Sequence, residues 1–225
     1  MPTVPCAAGR GFALDPARTA LILIDMQRDF LDPDGASGAS GFDLSPLRAI
    51  VPDLQALLGA ARAAGLTRVH TREGHLPDLS DLTELKRIRS REAGAEIGAP
   101  GPLGRFLVRG EAGHDFIAEL RPEPGEWVID KPGFGAFYAT DLDHRLRIAG
   151  IDSLVIGGVT TQCCVQSTLR EAVDRGYRCL TLADGCATFE PALHDATLAT
   201  IQSEGHLFGW VAPCAEVVAA LERHG

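Results

Sequence analysis

The stretch IDSLVIGGVTTQCCVQSTLREAVDRGYRCLTLA, residues 151–183, decides the fold. Residues 153–157 form an apolar run of strand length. Residues 163–175 carry apolar side chains at helical spacing and stop at Gly176, and 177–183 is a second apolar run. Two continuous apolar strands joined by an amphipathic helix make a parallel pair, because strands buried on both faces do not alternate polar and apolar residues. The same rhythm extends in both directions. Upstream, 20–25 (ALILID) reads as a buried strand and 44–64 as a helix closed by Gly65. Residues 67–71 and 127–130 read as strands, and 141–149 as a helix ending at Gly150. Downstream come helix 191–203, strand 207–211 and helix 214–223. The expected fold class is α/β: a three-layer, Rossmann-like parallel sheet with helices on both faces, in one domain spanning 1–225.

Residues 73–111 interrupt this rhythm. They are charged, glycine-rich and too long for an ordinary connection, so they read as an insertion over the edge of a site or into a subunit interface. The rest of the composition excludes more than it assigns. A length of 225 residues, 45% of them hydrophobic, suits one large domain. A net charge of −9 without a basic stripe argues against nucleic acid and anionic membranes, leaving a small molecule as the expected partner. There is no run of 18 apolar residues and no basic, then apolar leader, so a cytoplasmic protein without membrane spans is expected. The six cysteines form no CxxC pair, which argues against a zinc cage and structural disulfides. No GxGxxG follows the first strand, where a dinucleotide fingerprint belongs. Neither a cofactor nor a metal is expected.

In open α/β sheets, ligands sit beyond the carboxyl ends of the strands. Three reactive side chains fall there. Asp25 ends the first strand, Lys131 follows the third, and Cys164 opens the helix after strand 153–157. A thiol in a first helical turn feels the positive end of the helix dipole, and free N–H groups of that turn suit an oxyanion. From position alone Cys164 reads equally as a buried helix-start thiol, Asp25 as a turn ligand and Lys131 as a surface lysine. Asp29, one turn beyond Asp25, reads as structural.

The segments ALILIDMQRDF (20–30), VIDKPGFGAFYATDL (128–142) and GGVTTQCCVQSTLREAVDRGY (157–177) resemble the isochorismatase-like cysteine hydrolase superfamily. Nicotinamidases, carbamoylsarcosine hydrolases, ureidoacrylate hydrolases and biuret hydrolases belong to it. The likeness runs over about residues 18–222, in motif order. It implies homo-dimers or homo-tetramers and a catalytic triad of Asp25, Lys131 and Cys164, with the Cys-Val register choosing Cys164 over Cys163. It also implies a non-proline cis peptide at Val159–Thr160 and an oxyanion hole made by the N–H groups of Thr160 and Cys164. In the implied reaction Asp25 takes the thiol proton with help from Lys131, and the thiolate attacks an amide carbonyl. Asp25 then protonates the departing ammonia, and water hydrolyses the thioester.

Within the superfamily, HTREGHLPDLSDL, KRIRS, PGPLGR and VRGEAGHDF resemble the biuret and triuret hydrolase branch, which acts on small urea-like amides. Two departures from that branch stand out: Glu204 where it has a glutamine, and Phe134 where it has a second lysine. Together they imply a more negative pocket and a cationic substrate, with guanylurea as the leading expectation. Biuret or triuret is the alternative. An N-carbamoyl or ureido acid is the next, and it needs Arg89 or Arg105 to hold its carboxylate. A catalytically dead binding protein is the remaining one. Phe30, Phe134 and Tyr138 are expected to wall the pocket, with Arg89 supporting the insertion. The histidines His70, His75 and His114 lack the Asp-x-His arrangement of a nicotinamidase metal site.

Overall fold

The most apolar segment of the chain lies at the centre of its sheet. In the computed structural model, which describes residues 2–223, every residue of Thr19–Ile24 is buried. Met1, His224 and Gly225, at the ends of the expected 1–225 domain, lie outside the described residues. In chain order the elements begin with a hairpin, β1 (Thr3–Cys6) and β2 (Arg10–Ala13), followed by β3 (Thr19–Ile24). Then come α1 (Arg28–Leu31), α2 (Ala36–Ala39), α3 (Ser45–Ala49), α4 (Val51–Ala63) and β4 (Thr67–Glu73). Next are α5 (Glu84–Glu92), β5 (Pro100–Gly101), β6 (Gly104–Arg105), β7 (Trp127–Lys131), α6 (Leu142–Ile148) and β8 (Ser153–Val159). The chain closes with α7 (Gln166–Asp174), β9 (Arg178–Ala187), α8 (Pro191–His206), β10 (Trp210–Ala212) and α9 (Cys214–Glu222).

Six strands form one parallel sheet in the order β10-β9-β8-β3-β4-β7. The chain steps one way from β3 to β4 and the other way from β8 to β9 and β10. With right-handed crossovers, these opposite steps put α4 on one face and α6, α7 and α8 on the other. α9 returns to pack on α4. The order reverses between the neighbours β3 and β8, which is where such sheets open a crevice for ligands. Gly158 sets the distance between these two strands. It sits at φ +122°, and a Cβ there would lie 2.1 Å from the Ile24 carbonyl oxygen.

Several boundaries differ from the sequence-based expectation. The helix expected over 44–64 is two helices meeting at Ile50, because Pro52 has no N–H to continue the ladder. β4 and β8 each run two residues further than expected, to Glu73 and Val159. α8 loses helical geometry at Ser203, where Glu204 and Gly205 turn left-handed, so the last strand starts at Trp210 rather than at 207. The insertion is ordered. It contains α5 and the β5–β6 hairpin, and it closes a small second core of Leu82, Ile97, Phe106 and Leu107, with Phe30, Leu79 and Ala95 against it.

Candidate active site

At the reversal point four strands deliver charged or nucleophilic groups into one buried cluster. Asp25 follows β3, and its backbone is left-handed, φ +52°. Its N–H donates to the Thr71 carbonyl and to Thr71 Oγ1, both at 3.2 Å. The Thr71 hydroxyl donates back to Asp25 Oδ1 at 2.6 Å. Lys131 ends β7 fully buried, with its Nζ 2.8 Å from Asp25 Oδ2 and 3.0 Å from the Gly133 carbonyl. An ammonium out of water needs such partners, since an uncompensated buried charge costs several kcal/mol. Cys164 lies in one wide π-helical turn, Thr161–Val165, between β8 and α7, and the Val159–Thr160 peptide before it is cis.

The fourth member of the cluster is Glu73, which ends β4 opposite Lys131 and is buried. Its Oε2 accepts from the Cys164 thiol at 3.3 Å and lies 3.6 Å from Lys131 Nζ. Its Oε1 lies 2.6 Å from Lys86 Nζ, which also donates to the Pro132 carbonyl. Gln27 clamps the Glu73 backbone from both sides, accepting its N–H at 2.8 Å and donating to its carbonyl at 3.0 Å. The sequence reading missed Glu73 because it ended the strand at residue 71. The signal was there: Val69, Thr71 and Glu73 fall on one face of a strand two residues longer.

Burial and charge divide the four groups. Burial pushes the Asp25 carboxyl above its ordinary range, against the pull of Lys131. Burial acts on Glu73 too, but Lys131 and Lys86 outweigh it and hold Glu73 below its ordinary range. Lys131 is raised, because the charges of Asp25, Cys164 and Glu73 overcome its burial. The Cys164 thiol is held above its ordinary range, first by its hydrogen bond with Cys163, then by burial, with Lys131 pulling the other way. This corrects the helix-start argument for a lowered thiol: the Cys163 hydrogen bond and burial, with the charges of Asp25 and Glu73 added, outweigh Lys131. Asp25, Glu73 and Cys164 are the one cluster of three potential metal ligands among the described residues, their ligand atoms lying within 4.8 Å of one another. The Lys131 ammonium already stands between the two carboxylates, in the place a cation would take. Each of the three histidines has its own acidic neighbour: Glu126 at 2.9 Å for His70, Asp81 at 3.2 Å for His75 and Asp130 at 3.7 Å for His114.

The cluster opens into a cavity of about 440 Å³. Cys164, Cys163, Thr160 and Glu73 form its floor, while Phe30, Phe42, Phe106, Phe134 and Phe189 form much of its wall. The insertion supplies the remaining side, including Lys86, Arg89 and Ile97. Among the residues expected to contact substrate, Phe30, Phe134 and Arg89 border this cavity. Tyr138 does not: it is 59% exposed and packs over Gly133. Glu204 is the larger correction. β9 and β8 end beside Cys164 with Ala187 opposite Val159, whereas β10 begins at Trp210, opposite Leu180 near the start of β9. α8 therefore runs back to the amino edge of the sheet and leaves Glu204 on the side away from the thiol. Phe134 does not leave its place without a cation either, since the Lys86 ammonium sits 5.0 Å over its ring. Arg105 is engaged elsewhere, with Glu111 at 2.9 Å and the Pro77 carbonyl at 2.8 Å. Arg89 is exposed at the rim and enters none of the ion pairs among the described residues.

A thiol beside two carboxylates and a buried lysine can be deprotonated, attack a carbonyl and return a proton to a leaving amine. Comparison with known proteins agrees with this chemistry. The model of the isochorismatase domain matches residues 19–216. A ureidoacrylate amidohydrolase RutB of Methylobacterium radiotolerans is 34% identical over 221 residues, covering 93% of this chain and 81% of the relative. The Serratia proteamaculans protein of the same name is 33% identical, covering 93% and 84%. Among solved structures, a cysteine hydrolase from Pseudomonas syringae superposes with a TM-score of 0.81 at 28% identity, covering 100% of this chain and 99% of the other. An N-carbamoylsarcosine amidase from Thermoplasma acidophilum gives 0.66 at 25% identity, covering 88% and 96%.

Proposed function

The chain belongs to the isochorismatase-domain family and is a hydrolase of non-peptide amides, and from that premise we propose that it cleaves small ureido compounds, a ureido acid before others. Cys164 is the nucleophile, Asp25 the proton shuttle and Lys131 the charge that holds Asp25 in place. The carbonyl oxygen lies towards the N–H groups of Thr160 and Cys164. As the carbonyl approaches, the thiol proton passes to Asp25, whose raised pKa makes it the better base of the two carboxylates. The C–S bond forms, the oxyanion collapses, and Asp25 hands its proton to the leaving nitrogen. Asp25 then takes a proton from the water that releases the acyl group, and ammonia is the nitrogen product that accumulates.

One observation carries the choice of substrate. Both carboxylates of the cluster are matched by lysines, whereas Arg89, at the cavity rim, enters no ion pair among the described residues. The pocket has no spare negative charge for an amidinium, so guanylurea loses the support that Glu204 and Phe134 lent it. It does have a free guanidinium for a carboxylate, and the ureidoacrylate named for the relatives carries both a ureido group and a carboxylate. Biuret or triuret is the second reading, favoured because KRIRS, one of the segments resembling that branch, brings Lys86, Arg89 and Ser90 to the cavity.

Ammonia release from 3-ureidopropionate, biuret, triuret, guanylurea and nicotinamide tests both readings. The ureido acid is expected to lead and guanylurea to trail by about tenfold or more, the scale of one charge-assisted hydrogen bond. Arg89→Gln should raise KM for 3-ureidopropionate by roughly tenfold and leave biuret nearly unchanged. Guanylurea as the fastest substrate would overturn the assignment. A homo-dimer or homo-tetramer, implied by the family resemblance, is part of the same proposal, and light scattering in solution reads it directly.

A further inference from the structure

Glu73 has no place in the triad, yet its carboxylate is the group that accepts the hydrogen bond of the nucleophile's thiol. Several contacts fix it there: Lys86 on Oε1, Cys164 and Lys131 near Oε2, and Gln27 on its backbone. A carbonyl carbon poised for attack stands about 3–3.5 Å from Sγ. With Asp25, Glu73 and Cys164 presenting atoms within 4.8 Å of one another, that carbon is flanked by two carboxylates rather than one.

A simple amide has one nitrogen on its carbonyl and needs one such group, the acid that protonates the leaving amine. A ureido carbonyl has two nitrogens. One departs by way of Asp25, and the other keeps its hydrogens through the reaction and needs an acceptor in a buried site. We propose that Glu73 is that acceptor: its Oε2 exchanges the Cys164 thiol for an N–H of the retained nitrogen, and so selects carbonyls bearing two nitrogens over ordinary amides. The exchange also releases the thiol to turn towards Asp25, so the nucleophile is freed only by a substrate of the right kind. Lys86 makes the selection directional. It holds Oε1 and leaves Oε2 as the one oxygen facing the reacting carbon. This assignment rests on the ureido reading of the substrate.

The test compares pairs that differ by one NH replaced with CH2: biuret against malonamide, and 3-ureidopropionate against glutaramate. The protein should prefer the ureido member of each pair by on the order of 100-fold in kcat/KM, although a ureido carbonyl is the less electrophilic. In Glu73→Gln, Lys86 claims the amide oxygen, and the amide NH2 then faces the substrate N–H, donor against donor. That variant should lose far more activity on the ureido members than on malonamide and glutaramate, collapsing the preference towards unity. An equal loss on both members of a pair overturns the assignment of Glu73 while leaving the ureido reading intact. A preference below about threefold in the unaltered protein overturns it without any variant. Hydrolysis of malonamide with no hydrolysis of any ureido compound overturns the substrate reading, and this assignment with it.

Discussion

Asp25 occupies left-handed backbone, which costs a non-glycine residue of order 1 kcal/mol and persists only where neighbours enforce it. Thr71 is the enforcer, accepting from the Asp25 N–H at two oxygens and donating to its carboxylate. Asp25 must be ionised to take the thiol proton, and burial has raised its pKa. The acid limb of kcat/KM is therefore expected above the ordinary carboxylate range, with activity rising as pH rises through it. The Thr71 hydroxyl favours the ionised form, so Thr71→Val should move that limb to still higher pH. A limb that stays put or moves down would remove Thr71 from this account. Of the residues involved, Asp25, Lys131 and Cys164 could be singled out in the sequence at the ends of apolar runs, but position left each ambiguous, and only the family resemblance joined them in a triad. Glu73 and Thr71 could not be singled out. Each looks like an ordinary strand residue until the pairing of β4 between β3 and β7 brings it beside the triad.

At the level of elements, the site depends on how closely β3 and β8 approach. Gly158 is the contact that permits it, with no room for a methyl group against Ile24 and a φ that side chains avoid. Gly158→Ala should cost roughly 3 kcal/mol or more in a urea melt, by forced separation of two central strands. It should also lower kcat more than KM, because Asp25 and Cys164 ride on the separated ends. A variant with unchanged stability and kcat would show that the strands can part without moving the site. The alternation of strands and helices was readable from hydrophobic period alone, and so was the parallel sheet. What periodicity could not supply was direction in space. Glu204 resembled a pocket residue by motif. It precedes a strand, however, and in a parallel sheet the start of a strand lies at the edge opposite the ligands.

The whole molecule is two packing units of unequal size. The large core runs through the sheet, while residues of the insertion gather a second core around Ile97, Phe106 and Leu107 and lean on the pocket. No helix among the described residues is long and apolar enough to cross a membrane. The insertion is tied down by Asp29, whose Oδ2 accepts from the Leu107 N–H at 3.0 Å and whose own N–H donates to the Gly113 carbonyl. Burial pushes the Asp29 carboxyl up to about 6. A carboxyl raised in the closed form favours closure below its ordinary pKa of 3.8 and loses that contribution as pH rises through about 6. Hydrogen exchange corrected for intrinsic rates should therefore show α5 and the β5–β6 hairpin opening before β3 and β8, and opening more readily at pH 8 than at pH 5. Asp29→Asn should flatten that pH dependence, and uniform protection across the chain would refute the two-unit description. The sequence exposed the insertion only as a break in rhythm. ELKRIRSRE carries too few apolar residues to announce a helix, and α5 buries none of them; what marks its start is Thr83, whose Oγ1 accepts from the Lys86 N–H at 3.3 Å.

The reacting groups hang mostly from the sheet, while Lys86, Arg89 and the aromatic Phe106 hang from the insertion. Inheritance can act on these separately. A lineage could rewrite the wall residue by residue and acquire new substrates while the bond-breaking apparatus passes on unaltered. A library confined to the cavity-facing positions of α5 and the segment after it would retrace that history at the bench.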